Sequence, residues 1–167
     1  MEPNNAEIKE TIIKNSRVLV VDDISQNLQV LGTTLKHNGF NVALANNGMQ
    51  AIEIARARKP DLILLDIQMP RIDGFEVCRI LKESDETKDI PVIFLTALNE
   101  KEDIIKGFEV GGVDYITKPF NHQELVARVV NHLELSHTKK IIETQNADLI
   151  KLNKDKDKFL SIIAHDM

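Results

Sequence analysis

Four short apolar runs, Val18 to Val21, Val42 to Ala45, Leu62 to Leu65 and Val92 to Leu95, recur between stretches of helical character, and a fifth, weaker run surrounds Tyr115 and Ile116. Runs of this length without polar alternation suit strands buried on both faces. The intervening segments keep their apolar residues on one helical face, as Leu28, Leu31 and Leu35 do, or Ala51, Ile52 and Ala55. Strand and helix alternating five times predicts an α/β fold, an open, doubly wound parallel sheet with helices on both sides and right-handed crossovers. Residues 17–134 are read as this domain. Turn residues mark the same divisions: Asn38-Gly39 stops the first of its helices, Asn47-Gly48 opens the second, Pro60 closes it off and Asp73-Gly74 leads into the third.

Composition narrows the function. A chain of 167 residues, 43% hydrophobic and 28% charged, holds one ordinary globular domain plus an appendage, which excludes a large multidomain enzyme and collagen-like, mucin-like or wholly disordered chains. A net charge of -5 and a pI near 5.5 argue against a nucleic-acid-coating surface. The single Cys78 can close neither an intrachain disulfide nor a Cys-rich zinc site, and its place on an amphipathic helix after Gly74 makes it a buried structural thiol. His37, His122, His132 and His137 show no ligand-like spacing. The apolar runs fall far short of the ~18 residues of a membrane span, and with no signal-peptide pattern a cytoplasmic location is expected.

The two ends differ from the centre. Residues 1–16 contain a helix-compatible stretch, Ala6 to Lys14, and are read as a tail in preference to a short extra helix. From Asn121 to Met167 there is neither Pro nor Gly, so nothing local interrupts a helix. Ile142, Gln145, Leu149, Leu152, Lys156, Phe159 and Ile163 follow the alternating three- and four-residue steps of a coiled coil, with two polar interruptions. Residues 135–167 are therefore expected to form a homodimeric stalk, in preference to a single helix folding back on its own domain.

In an open parallel sheet the residues just past the carboxyl ends of the strands meet along one edge, where ligands bind. Asp22 and Asp23 follow the first strand, Asp66 the third, Thr96 and Ala97 the fourth, and Lys118 and Pro119 the fifth. Clustered carboxylates repel one another unless a cation or protons intervene. Oxygen ligands that leave positions for phosphoryl oxygens point to magnesium. With Lys118 as a point charge and Thr96 as a hydroxyl donor, the edge describes a phosphoryl-binding pocket with one carboxylate available as nucleophile. Taken singly, the acids could be helix caps, Lys118 a surface lysine and Tyr115 a packing residue; the combination favours the pocket.

These residues, with Asp66 in Leu65-Asp66-Ile67-Gln68-Met69-Pro70, Asp73-Gly74, Thr96-Ala97 and Lys118-Pro119-Phe120, resemble the receiver domain of two-component response regulators over about residues 17–134. The resemblance implies a flavodoxin-like five-stranded sheet of order 2-1-3-4-5 and a phosphoryl group passed to Asp66 from a phosphohistidine donor. It further implies that Asp23, Asp66 and the backbone carbonyl of Gln68 ligate magnesium, with Asp22 acting through water or position. Lys118 and Thr96 would contact the phosphoryl oxygens, and the Lys118-Pro119 bond would be cis. Tyr115 would be the aromatic switch that turns inward with Thr96, passing the state of Asp66 to the face made by the helix before the fifth strand, that strand and the helix after it.

Residues 157–167, Asp-Lys-Phe-Leu-Ser-Ile-Ile-Ala-His-Asp-Met, resemble the H-box of histidine kinases. That likeness implies phosphorylation of His165 with help from Asp166, and a fragment of a hybrid receiver-kinase. His165, two residues beyond Ile163, would lie about 200° around the helix from it, away from the seam. A free response regulator whose stalk is only a dimerisation or output element is the alternative. A haloacid-dehalogenase-like phosphatase is disfavoured by Gln68 two places after Asp66, and a flavin module by the two acids after the first strand.

Overall fold

The computed structural model describes residues 1–97 and 101–166, the side chains of residues 165 and 166 excepted. The chain runs α1 (Asn5–Asn15), β1 (Arg17–Val21), α2 (Ser25–His37), β2 (Asn41–Ala45), α3 (Gly48–Arg58), β3 (Leu62–Asp66), α4 (Gly74–Glu83), β4 (Val92–Thr96), α5 (Lys101–Glu109), β5 (Asp114–Thr117) and α6 (His122–Asp166). The strands form one parallel sheet in the order β2-β1-β3-β4-β5, the flavodoxin-like arrangement expected. Asp66 lies in register with Leu95, and Thr96 with Thr117.

Alternate residues of each strand serve two cores. Leu19, Val21, Ile63, Leu65 and Phe94 pack with α3 and α4 residues such as Ala51, Ala55, Phe75 and Cys78. On the opposite side Val18, Val20, Leu62, Leu64, Ile93, Leu95 and Ile116 pack with Leu28, Leu31 and Leu35 of α2 and with Leu125, Val129 and Leu133 of α6. Cys78 is fully buried, and burial pushes its thiol up to about 11.

Turn chemistry positions the helices. The Asn47 side chain accepts from the Gln50 N–H at 2.8 Å and caps α3, and Asp73 accepts from the Glu76 N–H at 2.9 Å and caps α4. Gly39, after α2, has φ of 95°, which Gly adopts without steric cost.

Two expectations change. The segment before β1 is not a tail but helix α1: the Asn4 side chain accepts from the Glu7 N–H while Glu7 accepts from the Asn4 N–H, a capping box. Ile12 and Ile13 pack against the α2 side of the core. The β2 run is not buried on both faces, because β2 is an edge strand and leaves Leu44 exposed.

The chain forms two compact units, Met1–Leu133 and Glu134–Met167. In the second, α6 continues without a break, and the apolar seam residues Ile142, Leu149, Leu152, Phe159 and Ile163 are exposed, as are Ile141, Ile150, Leu160 and Ile162. Among the described residues no helix is long and apolar enough to cross a membrane.

Gly74 is the tightest point of the backbone near Asp66. Its N–H donates to the Ile67 carbonyl at 2.8 Å, and a Cβ there would lie 2.2 Å from the Asp66 carbonyl oxygen. Backbone cannot yield as a side chain can. Gly74→Ala should therefore destabilise the protein by roughly 2–3 kcal/mol, as other overpacked sites do, read as a lower urea midpoint.

Candidate functional site

Parallel strands bring their carboxyl ends to one edge, and the functional side chains gather there. Asp22 follows β1 in sequence, Asp66 ends β3, Thr96 ends β4 and Lys118 follows β5. One carboxylate oxygen from each of Asp22, Asp23 and Asp66 lies within 4.8 Å of the others. Asp22 is fully buried and Asp66 is 4% exposed, whereas Asp23 faces solvent.

Each buried charge has partners. Asp22 accepts from the Ile24 N–H at 2.9 Å, from Asn27 Nδ2 at 3.2 Å and from Lys118 Nζ at 3.0 Å. Lys118 also reaches Asp66 Oδ1 at 3.2 Å, so one ammonium bridges two strands' carboxylates. Burial opposes the charge on Lys118, but the hydrogen bond to Asp22 and the negative charges of Asp66 and Asp22 outweigh it and raise its pKa. Asp66 goes the other way. Burial and the neighbouring Asp22 push its carboxyl from the usual 3.8 up to about 6, more than Lys118 offsets, and Asp23 adds to the rise. A site that holds three acids against one lysine is short of positive charge, and its donors are all hard oxygens. A small divalent cation fits that donor set.

Asp23, Asp66, Gln68, Thr96, Ala97 and Lys118 line one cleft, together with Ile24, Asn27 and Asp103. The Lys118-Pro119 peptide bond is cis. Thr96 is 5% exposed and also lines a small cavity beside Tyr115, with Phe94, Asp103 and Phe108. Tyr115 is half-buried, and its ring meets Phe108 edge-on with centroids 6.4 Å apart. The sequence reading thus finds Asp22, Asp23, Asp66, Gln68, Thr96 and Lys118 at one edge, with Tyr115 reached through Thr96. The side chains of His165 and Asp166 lie outside the described residues. Met69, in the loop after β3, is buried in the core and does not line the cleft.

Sequence reasoning missed Asn27, which steadies Asp22 from the first turn of α2; helical spacing does not link the two, because Asp22 precedes the helix. It also missed Asp103, for which spacing offered nothing.

Residues 18–130 match the family model described as response regulator receiver domain. The response regulator PleD of Caulobacter vibrioides is 44% identical over 115 residues, which are 69% of this chain and 25% of that protein. The chain spans about a quarter to a half of the length of the curated relatives it matches. A Francisella response regulator receiver domain superposes with a TM-score of 0.68 at 34% identity, covering 73% of this chain and 99% of that one. The receiver domain of a sensor histidine kinase from Pseudomonas aeruginosa, with magnesium coordinated in its active-site cleft, superposes with a TM-score of 0.65 at 30% identity, covering 71% of this chain and 96% of that one.

The raised Asp66 pKa has a measurable sign. A carboxyl whose folded value exceeds its unfolded value contributes its stability in full below about 3.8 and loses it as pH rises through about 6. In metal-free buffer, Asp66→Asn should therefore melt above wild type at pH 8, by roughly 2–4 °C for each kcal/mol of charge burial and repulsion relieved. The gap should close as pH falls from 6 towards 4. Calorimetry across that range in a chelating buffer checks it.

Proposed function

The chain belongs to the response regulator receiver domain family, and from that premise we propose that Asp66 accepts a phosphoryl group from a phosphohistidine donor with magnesium held at the acidic pocket. The observation that carries the reading is the convergence of three carboxylates and one lysine from three strand ends around a single cleft. A carboxylate oxygen of Asp66 forms the new O–P bond as the N–P bond of the donor breaks and the imidazole departs with the bonding pair.

Asp23, Asp66 and the backbone carbonyl of Gln68 would hold the magnesium, whose charge lowers the cost of bringing an anionic phosphoryl group beside an anionic acceptor. Asp22 positions the lysine, being buried and fully occupied by Lys118, Asn27 and the Ile24 N–H. Lys118 neutralises charge on the phosphoryl oxygens, and the Thr96 hydroxyl donates to one of them. As Thr96 moves, Tyr115 follows into the space it leaves, which alters the face formed by α5, β5 and α6.

The second unit is proposed to dimerise through the Ile142–Ile163 seam. The similarity to a receiver domain that belongs to a sensor histidine kinase, together with the H-box likeness of residues 157–167, favours a hybrid kinase in which His165 is phosphorylated and Asp166 orients it. A free response regulator whose C-terminal helix is only a dimerisation or output element is the second reading; the similarity to PleD, named as a response regulator, is compatible with it.

Incubation with magnesium and acetyl phosphate, followed by mass spectrometry, should give one phosphoryl adduct on wild type and none on Asp66→Asn. Thr96→Ala should keep the adduct while losing the accompanying change in tyrosine fluorescence, which reports Tyr115 alone because the chain has one Tyr and no Trp. An unaltered fluorescence response in that variant would contradict the proposed coupling. Sedimentation of wild type should give a dimer, and Leu149→Lys with Leu152→Lys a monomer that still takes phosphate on Asp66.

A further inference from the structure

Asp114, the first residue of β5, is not required by the chemistry above, yet both of its carboxylate oxygens are in use. Oδ1 accepts from the Tyr115 N–H at 2.8 Å and from Arg128 Nη1 at 3.0 Å. Oδ2 accepts from Arg128 Nη1 at 2.9 Å and from His132 Nε2 at 3.0 Å. A carboxylate only accepts, so His132 must carry a proton on Nε2, which assigns that position without its being seen. Burial works against the charge of Asp114, but the hydrogen bonds from His132, Tyr115 and Arg128, with the Arg128 charge, hold its carboxyl below the usual range.

Arg128 and His132 stand one helical turn apart on α6, directly before Val129 and Leu133, which bury that helix against the sheet. Arg128 is braced in turn by Glu124 at 3.0 Å. By strand alternation Asp114 shares its face with Ile116, on the α6 side, while Tyr115 points to the opposite core beside Phe94 and the Thr96 cavity. A simple helix-to-sheet ion pair would need one donor. Here two donors from α6 hold an acceptor that also holds the peptide of the switch tyrosine.

We propose that Asp114 is a positioning residue for Tyr115, clamped by Arg128 and His132 so that the grip of α6 on β5 and phosphoryl binding at Asp66 bias one another. The proposal rests on Asp66 being the acceptor and on Tyr115 answering Thr96. A fixed peptide leaves the tyrosine ring as the part that moves; loosening the clamp makes the ordered, phosphoryl-bound arrangement costlier to reach, and linkage requires the effect to appear in the affinity of the site itself.

Beryllofluoride with magnesium, a phosphoryl mimic, can be titrated calorimetrically into the full chain. Asp114→Asn and His132→Phe should weaken binding roughly three- to tenfold, while His132→Gln, which restores an N–H donor, should stay near wild type. In a Tyr115→Ala background the same substitutions should change binding less than about twofold, because the residue they position is gone. Equal losses with and without Tyr115, or no loss in its presence, would overturn the clamp while leaving the acceptor reading intact. His132→Phe keeps the test open if Asp114→Asn fails to fold. Failure of wild type to bind beryllofluoride would instead remove the acceptor reading, and the clamp with it.

Discussion

The contact on which the site depends is the ammonium of Lys118 set between Asp22 and Asp66, at 3.0 and 3.2 Å. It joins the carboxyl ends of β1, β3 and β5, which no pair of adjacent strands could do. One cation cannot satisfy three acids, and the remainder of the negative charge is what gives the edge its chemistry. Burial, with the charge of Asp22 beside it, lifts the Asp66 carboxyl to about 6, and the uncompensated acids leave the site receptive to a small divalent ion.

Around that contact the fold supplies stiffness where it is needed. Asp66 sits on β3, between β1 and β4, with its neighbours Leu64 and Leu65 fully buried in opposite cores. The chain after it is pressed back onto its own strand at Gly74, which holds the Asp66 backbone from behind. Packing is less complete at the periphery, where the half-buried Tyr115 lies beside a small cavity on the outermost strand.

Most of this edge was legible because topology turns sequence order into spatial order. Once the apolar runs are read as parallel strands, Asp22, Asp23, Asp66, Thr96 and Lys118 must converge. What stayed hidden depended on packing between elements distant in sequence. Nothing in the spacing of Asp114, Arg128 and His132 announces that a helix would deliver two donors to one strand residue. Leu44 looked like core because a run of apolar residues cannot reveal that its strand ends up at the sheet's margin. The α1 helix was a different failure: Asn4 and Glu7 stand at capping-box spacing, and that signal was available in the residues themselves.

The alternation of β5 carries one more implication. Asp114 and Tyr115 are neighbours in the chain, yet one belongs to the layer containing α6 and the other to the layer containing α4. The sheet divides two compartments, and every strand turns alternate side chains towards each. At its outermost strand that alternation sets a carboxylate gripped from the α6 layer one peptide away from a ring lodged in the α4 layer, so at the margin of the sheet the two compartments share a single stretch of backbone.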